Sequence, residues 1–152
     1  MKLTRRGFSL LELLIVIAVI LVLMTVAIPG ILSTHLGSVE TAVAREVQTI
    51  GQVELQYSSQ FGKYAGTLAE LGPPASGAVS SAAAGLIPAS LASGEKNGYV
   101  FALALIPGGY TVNANPKVFG KTGRRTFYLD QDGIVHQNWG PEPATASSPE
   151  LK

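Results

Sequence analysis

The best candidates for acid–base or metal chemistry in this sequence are His35, Asp130, Asp132 and His136. The tetrapeptide DQDG at Asp130 matches the opening of a calcium-binding loop, but no carboxylate follows at the later ligand positions, and Asp-Gly is common in hairpin turns. His136 lies in a short alternating segment that is typical of a strand. We therefore interpret Asp130 and Asp132 as weak metal candidates within a turn, and we expect neither a catalytic residue nor a cofactor.

One basic cluster stands out in the C-terminal half, with aromatic residues interleaved. It consists of Lys117, Lys121, Arg124 and Arg125. The simpler interpretation is a solvated loop face. The alternative is a weak nucleic-acid or adhesion patch, since four cations could make salt-dependent phosphate contacts that specify no sequence.

Composition limits the classes of protein that fit the chain. Its 152 residues leave room for one domain with appendages, and the net charge of +1 supplies no strong field for recruiting nucleic acid or acidic substrates. The absence of cysteine excludes disulfides, thiol nucleophiles and cysteine-ligated metals.

A single carboxylate, Glu12, lies near the start of an apolar run from Phe8 to Ile28. As a helix at ~1.5 Å per residue, this run would be about 31 Å long, close to the thickness of a bilayer core. Cations precede it and none follows until Arg45, which places the N-terminus in the cytoplasm. A secretory signal would have a shorter apolar core. A plain membrane anchor would leave unexplained a carboxylate that costs on the order of 3 kcal/mol.

The segment RRGFSLLELLIV, which begins at Arg5, resembles the class III signal of type IV pilins and pseudopilins. The shared features are the basic residues, Gly7 without a side chain, the aromatic Phe8, and a glutamate four residues beyond it. The resemblance implies that a prepilin peptidase removes residues 1–7 by cutting between Gly7 and Phe8. It also implies N-methylation of the new amine on Phe8 and retention of the apolar helix.

Cleavage would create the positive charge that Glu12 lacks. An ammonium group on Phe8 would lie about one helical turn away and could pair with Glu12 within one subunit or between neighbouring subunits. At ~4 Å and an effective dielectric constant of about 20, the gross attraction is up to ~4 kcal/mol before desolvation is subtracted. We therefore interpret Glu12 as an alignment charge, because wrongly docked subunits would leave charges unpaired.

The apolar pattern continues beyond this half-helix of residues 8–29. Pro29 and Gly30 should disturb the helix and mark a place where it bends or melts on packing. Apolar residues then recur in steps of three and four from Leu32 to Phe61, which predicts an amphipathic half-helix over residues 30–61. A helix from Phe8 to Phe61 would be about 80 Å long, more than a globule of this size can bury alone.

The remaining residues predict a globular head over 62–140. Thr67 is a candidate cap for a short turn, residues 72–98 form a loop with a short helical piece near Leu86–Leu91, and four strands occupy about 99–137. Turns at Pro107–Gly109 and Asp130–Gly133 pair these strands into two hairpins. Residues 141–152 have no apolar pattern and predict a flexible tail. The expected fold class is α+β and pilin-like, with the long helix packed under a four-stranded antiparallel sheet.

Together these features predict a filament subunit that acts by assembly. The resemblance implies as partners other copies of the chain, other pilins, the prepilin peptidase and methylase, the assembly platform with its ATPase, and membrane lipid before assembly. It places the precursor in the inner membrane and the product in an extracellular pilus or a periplasmic pseudopilus. A minor pilin, a type II secretion pseudopilin and a DNA-binding or adhesive tip subunit are the alternatives.

Overall fold

The computed structural model describes residues 8–152, without the side chains of residues 26–33, and divides the chain into two units, Met1–His35 and Leu36–Lys152. One helix, α1 (Leu10–Phe61), contributes residues to both units. The other elements, all in the second unit, are α2 (Leu68–Leu71), α3 (Ala89–Ala92), β1 (Glu95–Lys96), β2 (Tyr99–Ile106), β3 (Gly109–Pro116), β4 (Thr126–Asp130) and β5 (His136–Asn138).

The backbone of α1 is helical at Pro29 and Gly30, where the sequence predicts that the helix bends or melts on packing. A proline removes only one backbone donor, so the helical backbone continues on both sides of it. Bending or melting at this point during packing stays a prediction. The helix ends at Phe61 as expected, because Gly62 adopts a positive φ of 71° and donates its N–H to the Ser58 carbonyl at 2.8 Å.

The predicted apolar stripe of the second half-helix forms one side of the core. Its side chains are buried or half-buried against the sheet: Leu36, Val39, Val43, Val47, Ile50, Val53, Tyr57 and Phe61. The first residue predicted for the stripe, Leu32, lies outside the described side chains. The opposite side of the core comes from the inward-facing residues of the strands, among them Phe101, Val112 and Phe127.

The sheet is antiparallel throughout, with strand order β1-β2-β3-β4-β5. The α+β class and the two predicted hairpins are confirmed, but the expected number of four strands is wrong. The additional strand is β1, which pairs with the start of β2. The turn between them consists of Asn97 and Gly98, both at positive φ (53° and 77°). Two-residue strands have no alternating pattern, whereas Asn-Gly is itself a hairpin signal.

Helix α2 lies at the predicted capped turn, and α3 overlaps the end of the helical piece predicted near Leu86–Leu91. Thr67 caps α2 by accepting the Glu70 N–H on its hydroxyl at 3.4 Å, as predicted. Helix α3 begins directly after Pro88, within the segment predicted as a loop with a short helical piece. These elements connect α1 to the sheet.

The C-terminal residues are folded onto the sheet, so the prediction of a flexible tail is wrong. Leu151 donates its N–H to the Val135 carbonyl, and Gln137 donates to the Pro149 carbonyl, both at 2.8 Å. Ala144 is buried. Backbone hydrogen bonds hold this segment in place. Because such bonds do not depend on side-chain type, they produce no apolar pattern in the sequence.

Candidate functional site

The N-terminal part of α1 presents large apolar side chains to the outside on every face. Their exposed fractions range from 45% to 82%, and the set comprises Leu10, Leu11, Leu13, Leu14, Ile15, Val16, Ile17, Val19, Ile20, Leu21, Val22, Leu23 and Met24, with Phe8 just before the helix exposed to a similar degree. A helix that is apolar all round is found in a protein core or in a membrane. This surface therefore requires apolar surroundings that the unit itself does not supply.

The sequence predicts that residues 8–29 cross a membrane. Among the described residues, no helix is both long and apolar enough to do so. The side chains of residues 26–29 of the predicted segment lie outside the described set.

Glu12 occupies the first turn of α1, and its side chain is exposed. Ser9 directly precedes the helix, and its carbonyl accepts the Leu13 N–H at 3.2 Å, as the residue at the N-cap position does. Ser9-Leu10-Leu11-Glu12 thus matches the S-x-x-E pattern of a capping box, which the motif-based interpretation of Glu12 overlooked. A carboxylate in the first turn also interacts favourably with the helix dipole.

The structure leaves the pairing partner predicted for Glu12 undefined. Within residues 8–152 no ion pair includes Glu12, and Phe8 is 78% exposed just before the helix. The leader of residues 1–7, with Gly7 of the cleavage site, lies outside the described residues, as do the side chains of Pro29 and Gly30. Cleavage, methylation and charge pairing therefore stay predictions.

A second acid of α1, Glu40, is buried. Its two carboxylate oxygens accept hydrogen bonds from the Arg124 backbone N–H at 2.6 Å and from Arg125 Nε at 2.8 Å. The Arg125 guanidinium also lies 4.9 Å from the centre of the Trp139 ring, within range of a cation–π interaction. Glu40 thus joins α1 to the start of β4.

The basic cluster is largely engaged within the chain. Lys117 forms a salt bridge with Glu95, and Arg125 forms one with Glu40. Lys121 and Arg124 are exposed, and the Arg124 backbone N–H takes part in the Glu40 contact. The cluster consequently offers less charge to a phosphate backbone than its sequence suggests.

Asp130 and Asp132 form a hairpin turn, as the simpler interpretation predicted. Asp130 Oδ1 accepts the Asp132 N–H at 3.0 Å, and its Oδ2 accepts the Tyr128 hydroxyl at 3.2 Å. Gly133 closes the turn with a φ of 74° and an N–H donated to the Asp130 carbonyl. In the part of the chain that the structure describes, no group of three or more candidate side chains could hold a metal ion.

The two histidines predicted as candidates lie in different parts of the chain, one on β5 and one on α1. His136, half-buried on β5, places Nδ1 2.7 Å from the Ser148 carbonyl oxygen, next to the folded C-terminal segment. His35 is exposed on α1. The centre of the His136 ring also lies 6.2 Å from that of Tyr128 on the neighbouring strand β4.

Comparison with protein families matches residues 2–28 to the prokaryotic N-terminal methylation motif. Comparison with curated proteins and with solved structures gives no match. The motif supports a type IV pilin-like or pseudopilin-like protein, a family of structural rather than enzymatic proteins, and the α+β arrangement of helix and sheet is pilin-like. The chain therefore carries, at residues 2–28, the class III prepilin signal of type IV pilins and pseudopilins.

Proposed function

We propose that this protein is a structural subunit of a type IV pilus-like filament, assembled from the inner membrane after leader cleavage and N-methylation. The observation that carries the proposal is the methylation motif at residues 2–28, placed on a helix whose apolar side chains are exposed all round. Lipid would cover this surface in the precursor, and neighbouring copies would cover it in the filament. The protein thus works by assembly rather than by catalysis.

The roles of the N-terminal residues follow from this order of events. The peptidase cuts between Gly7 and Phe8, where glycine presents no side chain, and the new Phe8 amine is methylated. Glu12 then pairs with the amine of its own or a neighbouring subunit and sets the axial position of docking. Pro29 and Gly30 provide the place where the helix bends or melts on packing.

The proposed partners are other copies of the chain, other pilins, the prepilin peptidase and methylase, and the assembly platform with its ATPase. The precursor is a single-pass inner-membrane protein with a cytoplasmic N-terminus, and the product lies in an extracellular pilus or a periplasmic pseudopilus. A minor pilin or secretion pseudopilin uses the same chemistry. The engaged cations at Lys117 and Arg125 do not favour the DNA-binding tip subunit.

Intact-mass and N-terminal analysis of the protein from its native host tests the processing. We expect a mature chain that begins at methylated Phe8. A Gly7→Val precursor should keep residues 1–7, because a branched side chain would occupy the scissile position. A wild-type chain that still begins at Met1, or one cut near Ala27, would overturn the proposal.

Three variants separate the two roles that the structure allows for Glu12. Glu12→Ala removes both the charge and the cap, Glu12→Gln removes the charge and keeps a capping side chain, and Ser9→Ala keeps the charge and removes the N-cap hydroxyl. All three should be inserted and cleaved. Charge pairing predicts sheared-filament yields that are low for both Glu12 variants and near wild type for Ser9→Ala.

The opposite pattern would assign Glu12 to capping of its own helix. In that case Glu12→Gln would assemble normally and Ser9→Ala would assemble poorly. Normal filament yield from Glu12→Ala would refute both roles and leave the cleavage motif intact.

A further inference from the structure

Glu54, on the buried face of α1, is an acid that the filament proposal does not use. Its side chain is fully buried, and its Oε2 accepts the Ala65 backbone N–H at 2.9 Å. Its second oxygen, Oε1, has no hydrogen-bond partner among the described residues. A buried carboxylate with one unsatisfied oxygen is costly, unless that oxygen carries a proton.

A second carboxyl group holds the next amide of the same segment. Glu70 Oε2, on α2, accepts the Gly66 N–H at 3.2 Å and the Tyr57 hydroxyl at 3.3 Å. Residues 62–67, which we call the connecting segment, join α1 to α2, and Ala65 and Gly66 are consecutive within it. Two acids, one on each flanking helix, thus hold adjacent backbone amides of the connecting segment.

The groups around Glu54 supply no compensating positive charge. The titratable groups that interact with it are Tyr57 on α1, Glu70 on α2 and Tyr110 on β3, with Tyr64 and Asp130 next to Tyr110. The Tyr57 hydroxyl also donates to the Ser81 carbonyl, and that of Tyr110 donates to the Gly51 carbonyl. Lys63, the cation of the connecting segment, is exposed, and no ion pair within residues 8–152 includes either acid.

The pKa of Glu54 is raised from 4.5 to about 7: burial has the largest effect and raises it, the Ala65 N–H lowers it, and the charge of Glu70 raises it. Because the folded-state pKa is raised, the contribution of Glu54 to stability is fully present below pH 4.5. It decreases as the pH rises and is lost through the folded pKa near 7. Ionisation of Glu54 near neutral pH therefore opposes the arrangement in which Glu54 and Glu70 hold the connecting segment.

We propose that Glu54 and Glu70 form a proton-controlled latch on the connecting segment, closed when Glu54 is neutral and loosened when both acids are charged. The latch lies beside an open cleft of about 560 Å³ whose walls include Tyr64, Gly66 and Glu70 on one side and the tip of the β2–β3 hairpin on the other. Loosening would change the head surface at this cleft. The latch is a property of the folded head and does not depend on the filament proposal.

Hydrogen exchange measured by mass spectrometry on the full chain in detergent tests the latch. Protection factors, corrected for intrinsic exchange, are compared between pH 5 and pH 8 for peptides covering residues 62–67. If opening returns Glu54 to its unfolded pKa, protection should fall on the order of 10–100-fold at the higher pH. Peptides from β3, at the centre of the sheet, should change much less.

Three variants make the test specific to this pair of acids. Glu54→Gln keeps an acceptor for Ala65 and should remove the pH dependence. Glu70→Gln removes the repelling charge and brings the folded pKa of Glu54 closer to its unfolded value, so the fall in protection between pH 5 and pH 8 should be smaller than in the wild type, an effect that a merely structural role would not produce. Glu46→Gln is the matched control, since Glu46 is another acid of α1 with an unpartnered oxygen, but it pairs with Lys96 and should leave the pH dependence unchanged.

Wild-type protection that is independent of pH would overturn the proposal, as would a pH dependence that persists in Glu54→Gln. If Glu54→Gln fails to fold, Glu70→Gln decides: a smaller fall in protection between pH 5 and pH 8 than in the wild type supports the latch, and an unchanged fall refutes it.

Discussion

The two parts of α1 contain similar apolar side chains but differ in what surrounds them. Ile17, in the N-terminal part, is 50% exposed, whereas Ile50, in the C-terminal part, is completely buried against the sheet. A side chain buried by its own chain stabilises the fold of that chain. One that its own chain leaves exposed can stabilise only an assembly or a membrane-bound state, so the same residue type has different consequences in the two parts.

The acids of α1 show the same division. Glu40 has a cation and a backbone amide as partners within the head, whereas Glu12 has no ion pair among the described residues. The difference indicates that the head itself supplies the partners of Glu40. The N-terminal part is completed, under the filament proposal, by the processed amine.

The largest effect on head stability is expected from Glu40→Ala. Removing this carboxylate leaves Arg125, which is partly buried, and the Arg124 amide without their acceptor, which should lower the free energy of unfolding by about 3–5 kcal/mol. Denaturant unfolding of the full chain in detergent, followed by near-ultraviolet circular dichroism, measures the change. Glu12→Ala is the control and should leave head stability unchanged; equal losses in both variants would remove the contrast between the two parts.

The next effect compares two isoleucines. Ile50→Ala opens a cavity in the core and should cost about 2–5 kcal/mol in the same unfolding experiment. Ile17→Ala should change head stability by less than about 0.5 kcal/mol and instead reduce filament yield. A head destabilised as strongly by Ile17→Ala would contradict the assignment of that surface to assembly.

The smallest effect concerns two glycines of α1. A Cβ at Gly51 would lie 2.8 Å from Leu129 Cδ2 and 3.3 Å from the Tyr110 hydroxyl, so Gly51→Ala should cost about 1–3 kcal/mol. A Cβ at Gly37 would meet nothing within 4 Å, so Gly37→Ala should stabilise the helix by about 0.5–1 kcal/mol. If the free energy of unfolding rose in both variants, or fell in both, close helix–sheet packing at Gly51 would not explain the effects of the two substitutions.

Features with a local signature were predictable from the sequence. The stripe from Leu36 to Phe61 follows helical spacing, the glycine at 62 ends the helix, and the turn at Asp130 has its usual residues. The prepilin signal was predictable for the same reason, because a peptidase reads a short contiguous segment. The matched motif at residues 2–28 confirms it.

Features that depend on distant partners were not predictable. The burial of Glu40 requires Arg125, 85 residues away, and that of Glu54 requires the connecting segment to fold back on α1. The C-terminal segment is held by backbone bonds to Val135 and Gln137, and backbone groups are the same in every sequence. Only the S-x-x-E pattern at Ser9 and the Asn97-Gly98 turn were visible in the sequence and overlooked.

The stacking of Arg125 on Trp139 gives the protein a built-in optical reporter. Trp139 is the sole tryptophan of the chain, and its indole lies 4.9 Å from the Arg125 guanidinium, which also forms a salt bridge with Glu40 on α1. Since α1 contains no tryptophan, emission excited at the indole band reports the head selectively, even when the N-terminal part is surrounded by lipid or by other subunits. Fluorescence of the unmodified protein could therefore follow the contact between helix and sheet in the precursor, the free subunit and the filament without an added label.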